Sequence, residues 1–346
     1  MSKTKVGIIN VTGYAGVELA RLLYRHPGVE LTSVTGRSAA GQKLGTAFPH
    51  LASRELTITA ELDEVKFVFS AMPNKTSAVE IVPLVKRGIK VVDISGDCRL
   101  KDAAQYPTWY GYTHPAPELL AQAVFGLPEL YLSQIAGAQL VANPGCYPTS
   151  AILALAPALK AGIIEPDIII DSKSGVSGAG RTLSLNTHYA EANEDVAAYG
   201  LGGHQHLPEI IQELKRLCPA ASLSVTFTPH LIPMTRGILT TAYAKLAPGK
   251  VAGGAKGKAE LLALYRDFYQ DKPFVRVIDS SPHTKHTWGS NLCLIHPTLD
   301  YYGEKLIVLS AIDNLVKGAA GQAIQNMNLM LDLPETMGLE APPIYP

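Results

Sequence analysis

Cys146 is the side chain of this sequence best placed to act as a nucleophile. It lies in the segment NPGCYPT at 143–149. The short apolar run 139–142 favours a β-strand, and the apolar run 150–159 favours a helix in which Pro148 suits the first position. A cysteine at such a junction lies at the positive end of the helix dipole, which favours the nucleophilic thiolate. Most cysteines are small buried hydrophobes, but these glycine and proline flanks are unusual in a core, so we predict that Cys146 is catalytic.

Two histidines in the segment GGHQHLPEI at 202–210 are candidates for acid–base chemistry. They precede a helix that Pro208 can begin. A His-x-His pair could also bind a metal ion, but no nearby His, Cys or carboxylate has the spacing to complete a ligand set, so we predict no metal site. We prefer His206 as the acid–base residue because Glu209, three residues on, can hold its ring or bind substrate. His204 is the alternative, and either could be a loop histidine bonded to the backbone.

Three cationic side chains could bind the anionic groups of a substrate. Lys173 opens the glycine-rich loop KSGVSGAGR at 173–181, where Ser174 adds a hydroxyl, as in loops that cradle anions. A plain flexible loop is the alternative. Arg236 lies in the segment HLIPMTRG at 230–237, and Arg99 follows a predicted strand. We predict that these side chains contribute to substrate binding.

The sequence GIINVTGYAG at 7–16 places glycines where a first strand would turn into a helix. Backbone N–H groups and a helix N-terminus can bind a pyrophosphate at such a turn. The pattern Gly-x-x-Gly-x-x-Gly is incomplete, since Asn10 occupies one glycine position, and a merely structural turn is the alternative. Asparagine tolerates the left-handed backbone region better than most residues, so we expect the turn to be preserved.

The end of the second predicted strand indicates which dinucleotide this turn would serve. An NAD site usually has Asp or Glu there, whereas this chain has Arg37 and Ser38. A guanidinium can hold a 2′-phosphate with two parallel hydrogen bonds, and the serine hydroxyl can add a third. An exposed loop arginine is the alternative. We predict NADP(H) as the cofactor.

The composition is typical of a globular protein that acts on small molecules. The chain has 346 residues, of which 47% are hydrophobic, and 30 basic residues balance 30 acidic ones. This length predicts two domains, and no basic run with interleaved aromatics suggests nucleic acid as a partner. No apolar stretch approaches the roughly 18 residues that span a membrane. The four scattered cysteines suggest neither a disulfide framework nor a zinc ribbon, and we expect a cytoplasmic protein.

Alternating strands and helices in the first 146 residues predict a parallel sheet with covering helices. The expected strands are 6–11, 30–35, 66–72 and 90–94, and the expected helices are 17–26 and 77–87. Strands outnumber helices between about 150 and 313, which predicts a separate α+β domain with a mixed or antiparallel sheet. A helix at 315–330 contains small residues suited to close packing. The stretch 248–258, rich in Gly, Ala and Lys, is the candidate flexible segment.

Taken together, these segments resemble the N-acetyl-γ-glutamyl-phosphate reductase family over nearly the whole chain. The motifs that carry the resemblance are GYAG at 13–16, DISGDCRL at 93–100, NPGCYPT at 143–149, SGVSGAGR at 174–181, HQHLPE at 204–209, PMTRGI at 233–238 and DNLVKG at 313–318. Two positions depart from the family pattern. Asn10 replaces a usual glycine, and Cys98 replaces a usual aromatic residue and is interpreted as a packing change.

The resemblance implies a Rossmann domain from residues 1–146 and 314–346 and an inserted α+β catalytic and oligomerisation domain from residues 147–313. It also implies a homodimer or homotetramer. The cysteine of its Pro-Gly-Cys motif falls on Cys146 as nucleophile, and the histidine before Leu-Pro-Glu falls on His206 as acid–base. In the implied reaction, the thiolate attacks an acyl phosphate, phosphate leaves, and NADPH reduces the resulting thioester to an aldehyde.

Residue by residue, the expected site has two parts besides Cys146 and His206. The substrate residues are Arg99, Asn143, Lys173, Ser174, Glu209 and Arg236. The cofactor residues are Thr12, Gly13, Tyr14, Ala15, Gly16, Arg37, Ser38, Ser70, Pro73, Ser177, Gly178 and Asn314.

Rival functions use the same residues differently. The nearest is reduction of an aminoadipyl phosphate borne on a carrier protein, although relatives of that kind tend to lose the Tyr-Pro pair after the cysteine. Aspartate-semialdehyde dehydrogenase shares the chemistry with a different cysteine neighbourhood. A thiol hydrolase or acyltransferase, and an NADP-sensing regulator that is not an enzyme, are the alternatives from other classes.

Overall fold

The computed structural model describes residues 3–53, 55–219 and 222–346. The chain forms two compact units. The first contains the residues up to Gly145 together with Ala319–Ala341, and the second contains Cys146–Gly318 together with Pro342–Pro346. In the part of the chain that is described, each unit is built on one seven-stranded sheet.

The sheet of the first unit is parallel throughout. Its strand order is β3-β2-β1-β4-β5-β7-β6, which reverses direction between β1 and β4, as in dinucleotide-binding folds. The strands are β1 Thr4–Ile9, β2 Val29–Thr35, β3 Ile58–Thr59, β4 Phe67–Ser70, β5 Lys90–Asp93, β6 Val124–Phe125 and β7 Leu140–Ala142. The helices of this unit are α1 Tyr14–Leu23, α2 Leu44–Ala47, α3 Ser77–Lys86, α4 Tyr106–Tyr110, α5 Glu118–Gln122, α6 Pro128–Ala136 and, at the far end of the chain, α11 Gly321–Met330.

The central strands are continuous apolar runs because helices cover both faces of a parallel sheet. All four residues of β4 are buried, and Phe67 and Phe69 have no exposed surface. Helix α11 is anchored by amides as well as by apolar packing. Gln322 and Asn326 both donate to the carbonyl oxygen of Gly126, at 3.0 and 2.9 Å.

The sheet of the second unit is mixed. Its order is β12-β13-β14-β11-β8-β10-β9, with β8 parallel to β10 and antiparallel to β11. The strands are β8 Ile164–Gly175, β9 Ala197–Ala198, β10 Ser224–Ile232, β11 Ile238–Leu246, β12 Val275–Val277, β13 Cys293–Leu299 and β14 Lys305–Ile312. The helices are α7 Cys146–Lys160, α8 Tyr189–Ala192, α9 His206–Leu217 and α10 Gly254–Phe268, and a π-helical turn spans Val316–Ala320. The predicted fold class, a Rossmann-type parallel sheet plus an α+β part with a mixed sheet, is confirmed.

Helix α7 forms the core of the second unit, and every residue from Tyr147 to Leu159 is buried. Pro157 interrupts its hydrogen bonding, because proline has no N–H to donate to the carbonyl of Leu153 one turn earlier. The hydroxyl of Tyr269 donates to that carbonyl oxygen instead, at 2.5 Å. The helix that begins at Cys146 is therefore held rigidly by side chains from the same unit.

Candidate functional site

The glycine turn after β1 has the geometry of a pyrophosphate-binding turn. Asn10 adopts a φ of 63°, in the left-handed region, as expected for asparagine in place of glycine. A Cβ at Gly16 would stand 2.5 Å from the carbonyl oxygen of Asn10, so only glycine allows α1 to approach the strand this closely. Gly13 precedes the helix, and among the described residues no side chain caps its first turn. The N–H groups between Thr12 and Gly16 therefore suit an anion.

A cavity of about 1080 Å³ opens beside this turn in the first unit. Arg37, Ser38 and Pro73 line it, together with Asn10 and Thr35. The guanidinium of Arg37 is paired with the carboxylate of Glu80. These residues fit a dinucleotide, because the cavity combines a phosphate turn with a cation at the end of β2 and an apolar wall.

Ser70, another predicted cofactor residue, is fully buried and belongs to a polar network at the carboxyl ends of β4 and β5. Its hydroxyl lies 2.7 Å from that of Ser77, which donates to Asp93 Oδ1 at 2.6 Å. Burial raises the pKa of Asp93, although hydrogen bonds from Ser77 and Ser95 oppose that shift. Ser70 is therefore held in this network and does not present its hydroxyl to solvent.

Two predicted substrate residues of the first unit brace the backbone just before Cys146. Arg99 is 7% exposed, and its guanidinium donates to the carbonyl oxygens of Asn143, at 2.8 Å, and of Ile94, at 2.7 Å. Asn143 has no exposed surface. Its amide donates to Ala319 O at 3.2 Å and accepts from Asn326 at 3.1 Å. Both side chains therefore fix the backbone at Asn143, three residues before the cysteine.

Cys146 is the first residue of α7, and its side chain is partly exposed. The helix begins two residues earlier than Pro148 suggested, so the thiol belongs to the first turn. Gly318 in the π-helical turn packs against it. A Cβ at Gly318 would stand 2.7 Å from the Cβ of Cys146. Glycine at 318 thus allows the π-helical turn to pack directly against Cys146. The thiol itself lies at a helix N-terminus, where the dipole stabilises a thiolate.

The two predicted histidines lie together beside the residue that follows the cysteine. The ring of Tyr147 is 5.9 Å from that of His204 and 5.9 Å from that of His206. His204 Nδ1 accepts the backbone N–H of His206 at 3.0 Å, and burial lowers the pKa of His204 to about 4. His204 is thus a neutral brace at the start of α9. His206 is 8% exposed, and Glu209 is fully buried one turn further along this helix.

Tyr199 and Tyr147 complete this cluster and were not predicted as site residues. The Tyr199 hydroxyl donates to that of Tyr147 at 3.1 Å, which in turn donates to the His230 carbonyl oxygen at 3.2 Å. Burial raises the pKa of Tyr199 to about 12. The negative charge of a nearby Cys146 thiolate raises it further. Both phenols stay protonated beside the cysteine, and no local motif marks a tyrosine 53 positions away as its neighbour.

The loop after β8 is fixed by Asn314. Its side-chain oxygen accepts the Gly237 N–H at 2.7 Å, and its amide donates to Ser177 Oγ at 3.0 Å. Ser174 is 2% exposed and donates to Gly175 O, and a Cβ at Gly178 would stand 2.8 Å from Ser174 Oγ. The structure therefore brings the predicted residues Ser174, Ser177, Gly178 and Asn314 together in one tight cluster.

The two remaining cations each have a carboxylate partner. Arg236 Nη1 lies 3.3 Å from Asp313 Oδ2, and Asp313 also accepts the backbone N–H groups of Gly289, Leu315 and Val316. Asp313 was not predicted, although it starts the motif DNLVKG. Lys173 Nζ lies 2.5 Å from Asp171 Oδ1, on a face of β8 that is only partly covered. Both cations retain exposed surface and can reach an anion.

The described residues offer neither a cluster suited to a metal ion nor a helix suited to a membrane. Over residues 3–53, 55–219 and 222–346, no group of three or more His, Cys, Asp or Glu side chains is arranged to hold a metal ion. Over the same residues, no helix combines the length and apolarity needed to cross a membrane.

Both units match models of semialdehyde dehydrogenases. "Semialdehyde dehydrogenase, NAD binding domain" matches residues 5–138, and "Semialdehyde dehydrogenase, dimerisation domain" matches residues 146–314. Solved structures with the same fold include aspartate semialdehyde dehydrogenase II of Vibrio cholerae, with a TM-score of 0.72 at 17% identity, covering 96% of this chain and 99% of that one. The Candida albicans enzyme with NADP gives a TM-score of 0.69 at 15% identity, covering 97% and 100%. At these identities the likeness shows the fold.

Sequence relatives define the family within this class. N-acetyl-gamma-glutamyl-phosphate reductase of Dehalococcoides mccartyi is 57% identical over 342 residues, covering 99% of this chain and 98% of the relative. The enzyme of the same name from Geobacter sp. is 50% identical over 353 residues, covering 99% of each. The chain therefore belongs to the N-acetyl-gamma-glutamyl-phosphate reductase family of oxidoreductases, and the predicted resemblance is confirmed.

Proposed function

We propose that this protein reduces N-acetyl-γ-glutamyl phosphate with NADPH to N-acetyl-L-glutamate 5-semialdehyde and phosphate, as a step of arginine biosynthesis. The observation that carries this proposal is the position of Cys146, which is partly exposed and lies in the first turn of α7, where the helix dipole favours a thiolate. The names of its relatives supply the substrate, and the cavity beside the glycine turn fits the cofactor.

Cys146 acts as the nucleophile. Its thiolate, stabilised by the helix dipole, attacks the carbonyl carbon of the acyl phosphate and forms the C–S bond. The C–O bond to phosphate then breaks and its electron pair leaves with inorganic phosphate. The product is a thioester, which accepts hydride more readily than an oxygen ester and expels sulfur from the reduced adduct.

NADPH, when bound, supplies the hydride that converts the thioester carbon to the aldehyde. Residues of the first unit hold its nucleotide portion: the turn from Thr12 to Gly16 takes the pyrophosphate, and Arg37 with Ser38 takes the 2′-phosphate. Asn314, Ser177 and Gly178 form the rigid cluster that serves its nicotinamide end. Asn314 is fixed in this cluster by its hydrogen bonds with Ser177 and Gly237.

His206 is the acid–base residue of the proposal. As imidazolium it stabilises the thiolate and donates a proton to the oxygen that gains charge when the carbonyl becomes tetrahedral. The contrast with His204 supports this assignment. His204 Nδ1 is occupied by the His206 N–H, and burial lowers its pKa to about 4, so it remains neutral near pH 7.

Lys173 and Arg236 are the proposed anion-binding side chains for the carboxylate and the phosphoryl group. The side chain of Lys173 is 32% exposed and that of Arg236 is 27% exposed. Each already pairs with one aspartate, so an incoming anion meets a positioned cation. Arg99 serves the backbone before Cys146 and contributes to substrate binding indirectly.

Self-association through the second unit is part of the proposal, as the description of its matching model indicates. The outer face of its sheet offers exposed apolar side chains, including Ile169 and Tyr243. A homodimer or homotetramer is the expected state. All four cysteines are present as thiols rather than disulfides, which suits the reducing cytoplasm.

A single-turnover experiment tests the covalent step apart from the cofactor. The protein is mixed with N-acetyl-γ-glutamyl phosphate in the absence of nicotinamide, and released phosphate and protein mass are followed. The wild type should release one equivalent of phosphate and carry the acyl group on the peptide that contains Cys146, while Cys146→Ser should show neither. A phosphate burst of wild-type size in Cys146→Ser rules out the thioester. Full turnover of His206→Ala combined with an inactive His204→Ala would reverse the histidine assignment.

A further inference from the structure

We propose that Glu80 sets the cofactor preference of this protein by competing with the 2′-phosphate of NADP(H) for Arg37 and by accepting hydrogen bonds from the ribose hydroxyls of NAD(H). This inference rests on the proposed function, since it concerns the nucleotide that the cavity of the first unit holds. It adds Glu80, on α3, as a residue that determines cofactor specificity. Such a residue usually lies at the end of the second strand.

The contact between Arg37 and Glu80 carries the proposal. Arg37 Nη2 donates to Glu80 Oε1. Both side chains line the cavity beside the glycine turn, and the side chain of Arg37 is 77% exposed while that of Glu80 is 36% exposed. Glu80 lies on α3, 43 residues after Arg37. The Glu80 carboxylate therefore contacts the Arg37 guanidinium, the group from which binding of a 2′-phosphate was predicted.

The chemistry of the two cofactors differs only at this point. In NAD sites an Asp or Glu near the end of the second strand accepts hydrogen bonds from the ribose hydroxyls, and in NADP sites an arginine meets the phosphate. This chain has an arginine at the strand end and brings a carboxylate to it from α3. The pair thus contains the recognition group for each cofactor.

The charges work in opposite directions on the two ligands. A 2′-phosphate must take the place of Glu80 on the guanidinium and then carries its own negative charge close to that carboxylate. An exposed ion pair is weak, so the phosphate can displace it, but the repulsion remains and lowers affinity. The adenosine ribose of NAD(H) has two free hydroxyls and no phosphate, so no such repulsion arises. It can donate hydrogen bonds to Glu80 while the ion pair between Glu80 and Arg37 is kept.

Within the described part of the chain, Glu80 forms the ion pair with Arg37, while other charged residues line the same cavity. They are Glu61, Asp63, Glu64 and Arg87. Arg87 follows α3 directly, and the three acidic residues lie between β3 and β4. Their longer-range field acts on all the phosphates of a bound cofactor, whereas Glu80 contacts the guanidinium itself. Glu80 is therefore the residue whose removal should separate NADP from NAD.

Titration calorimetry of the unloaded protein with NADP⁺ and with NAD⁺ tests the proposal by direct binding. Glu80→Gln keeps the size of the side chain and removes its charge. We expect its Kd for NADP⁺ to fall about three- to tenfold and its Kd for NAD⁺ to rise by a similar factor, the range of a weak exposed pair. Glu118→Gln on α5, exposed and of the same charge change, is the matched control and should leave both constants unchanged.

The outcomes separate this proposal from the function on which it rests. A wild-type protein that binds neither nucleotide contradicts the proposed function. A wild type that binds NADP⁺, with a Glu80→Gln variant whose two constants stay fixed or move in the same direction, overturns the role of Glu80. A melting temperature equal to that of the wild type shows that Glu80→Gln is folded.

Discussion

Gly318 packs directly against Cys146, at a separation that excludes any side chain at 318. A Cβ there would stand 2.7 Å from the Cβ and 3.2 Å from the Cα of Cys146. The Gly318 N–H donates to Asp313 O at 2.9 Å, which fixes the turn that brings the glycine to the cysteine. Since Asp313 is itself tied to Arg236 and to the chain at Gly289, the space beside the thiol is set by a buried polar network.

Gly318→Ala should reduce the reactivity of Cys146. The added methyl group forces the backbone or the thiol to move, and overpacking of this kind costs about 1–3 kcal/mol, more than the roughly 1 kcal/mol that alanine gains over glycine in a helix. We expect at least about a tenfold slower alkylation of Cys146 by iodoacetamide, measured by peptide mass spectrometry. Gly137→Ala, at an exposed position whose nearest atom would lie 4.0 Å away, is the control and should react like the wild type. Equal alkylation rates in all three proteins would show that 318 tolerates a side chain.

Asn314→Ala should destabilise the second unit more than Ser177→Ala does. The asparagine amide serves two loops, and its loss leaves the buried Gly237 N–H without its acceptor, which costs about 1–3 kcal/mol. Ser177→Ala removes only the partly buried bond to Asn314. Urea unfolding followed by circular dichroism gives the order of the midpoints. A larger loss for Ser177→Ala would mean that the bond to Gly237 is not the stabilising one.

His204→Gln should make the protein less sensitive to acid between about pH 6.5 and pH 4. Burial lowers the folded-state pKa of His204 to about 4 from an unfolded value near 6.5. The unfolded chain therefore takes up a proton first as pH falls, and stability is lost across that window. Melting temperatures from pH 7.5 to pH 4 should fall less steeply for His204→Gln than for the wild type. His188→Gln, at an exposed histidine, is the comparison and should follow the wild-type slope. Parallel slopes in all three would remove His204 as the source.

Tyr269→Phe should cost more stability than Tyr265→Phe, although the two rings are neighbours on one side of α7. Pro157 has no N–H to donate to the carbonyl oxygen of Leu153, and the Tyr269 hydroxyl donates to it instead. Removing this hydroxyl leaves a buried carbonyl without a donor, which costs about 1–3 kcal/mol of stability. The Tyr265 hydroxyl donates to Ala154 O at 2.8 Å, a carbonyl that also faces the N–H of Ala158 in the helix. Thermal unfolding of the two variants makes the comparison, and an equal or reversed loss would contradict this account of Pro157.

The sequence predicted the features that depend on local chemistry. The glycine turn at 7–16 and the strand ending at Thr35 before Arg37 follow from backbone geometry and hydrophobic pattern, and the structure has them. The strands predicted in the first 146 residues lie within a few residues of the observed ones. Cys146 was predicted at a strand-to-helix junction for the same reason. The β-like run 139–142, Gly145 and the helical run 150–159 follow one another in the chain.

The features that sequence missed depend on contacts between distant residues. Tyr199 meets Tyr147 across 52 positions, and Arg37 meets Glu80 across 43, so no local pattern could reveal either pair. The stretch 248–258 was predicted to be flexible from its Gly, Ala and Lys content, but α10 begins within it at Gly254. Its helix is stabilised by packing of Leu261 and Tyr265, whose effect outweighs the weak propensity of the first turn.

A π-helical turn differs from an α-helical one by a single extra residue, so the turn at Val316–Ala320 corresponds to one inserted codon in a gene for a regular helix. With that codon present, the residue five positions after Asp313 is glycine, and glycine meets the thiol of Cys146. Removing one codon between them would restore an ordinary α-helical turn, rotate the residues on one side of the deletion by about 100° relative to the other, and so change the approach of this glycine to Cys146. Length changes in this gene should therefore be tolerated in the exposed stretch 179–186 but not between codons 313 and 318.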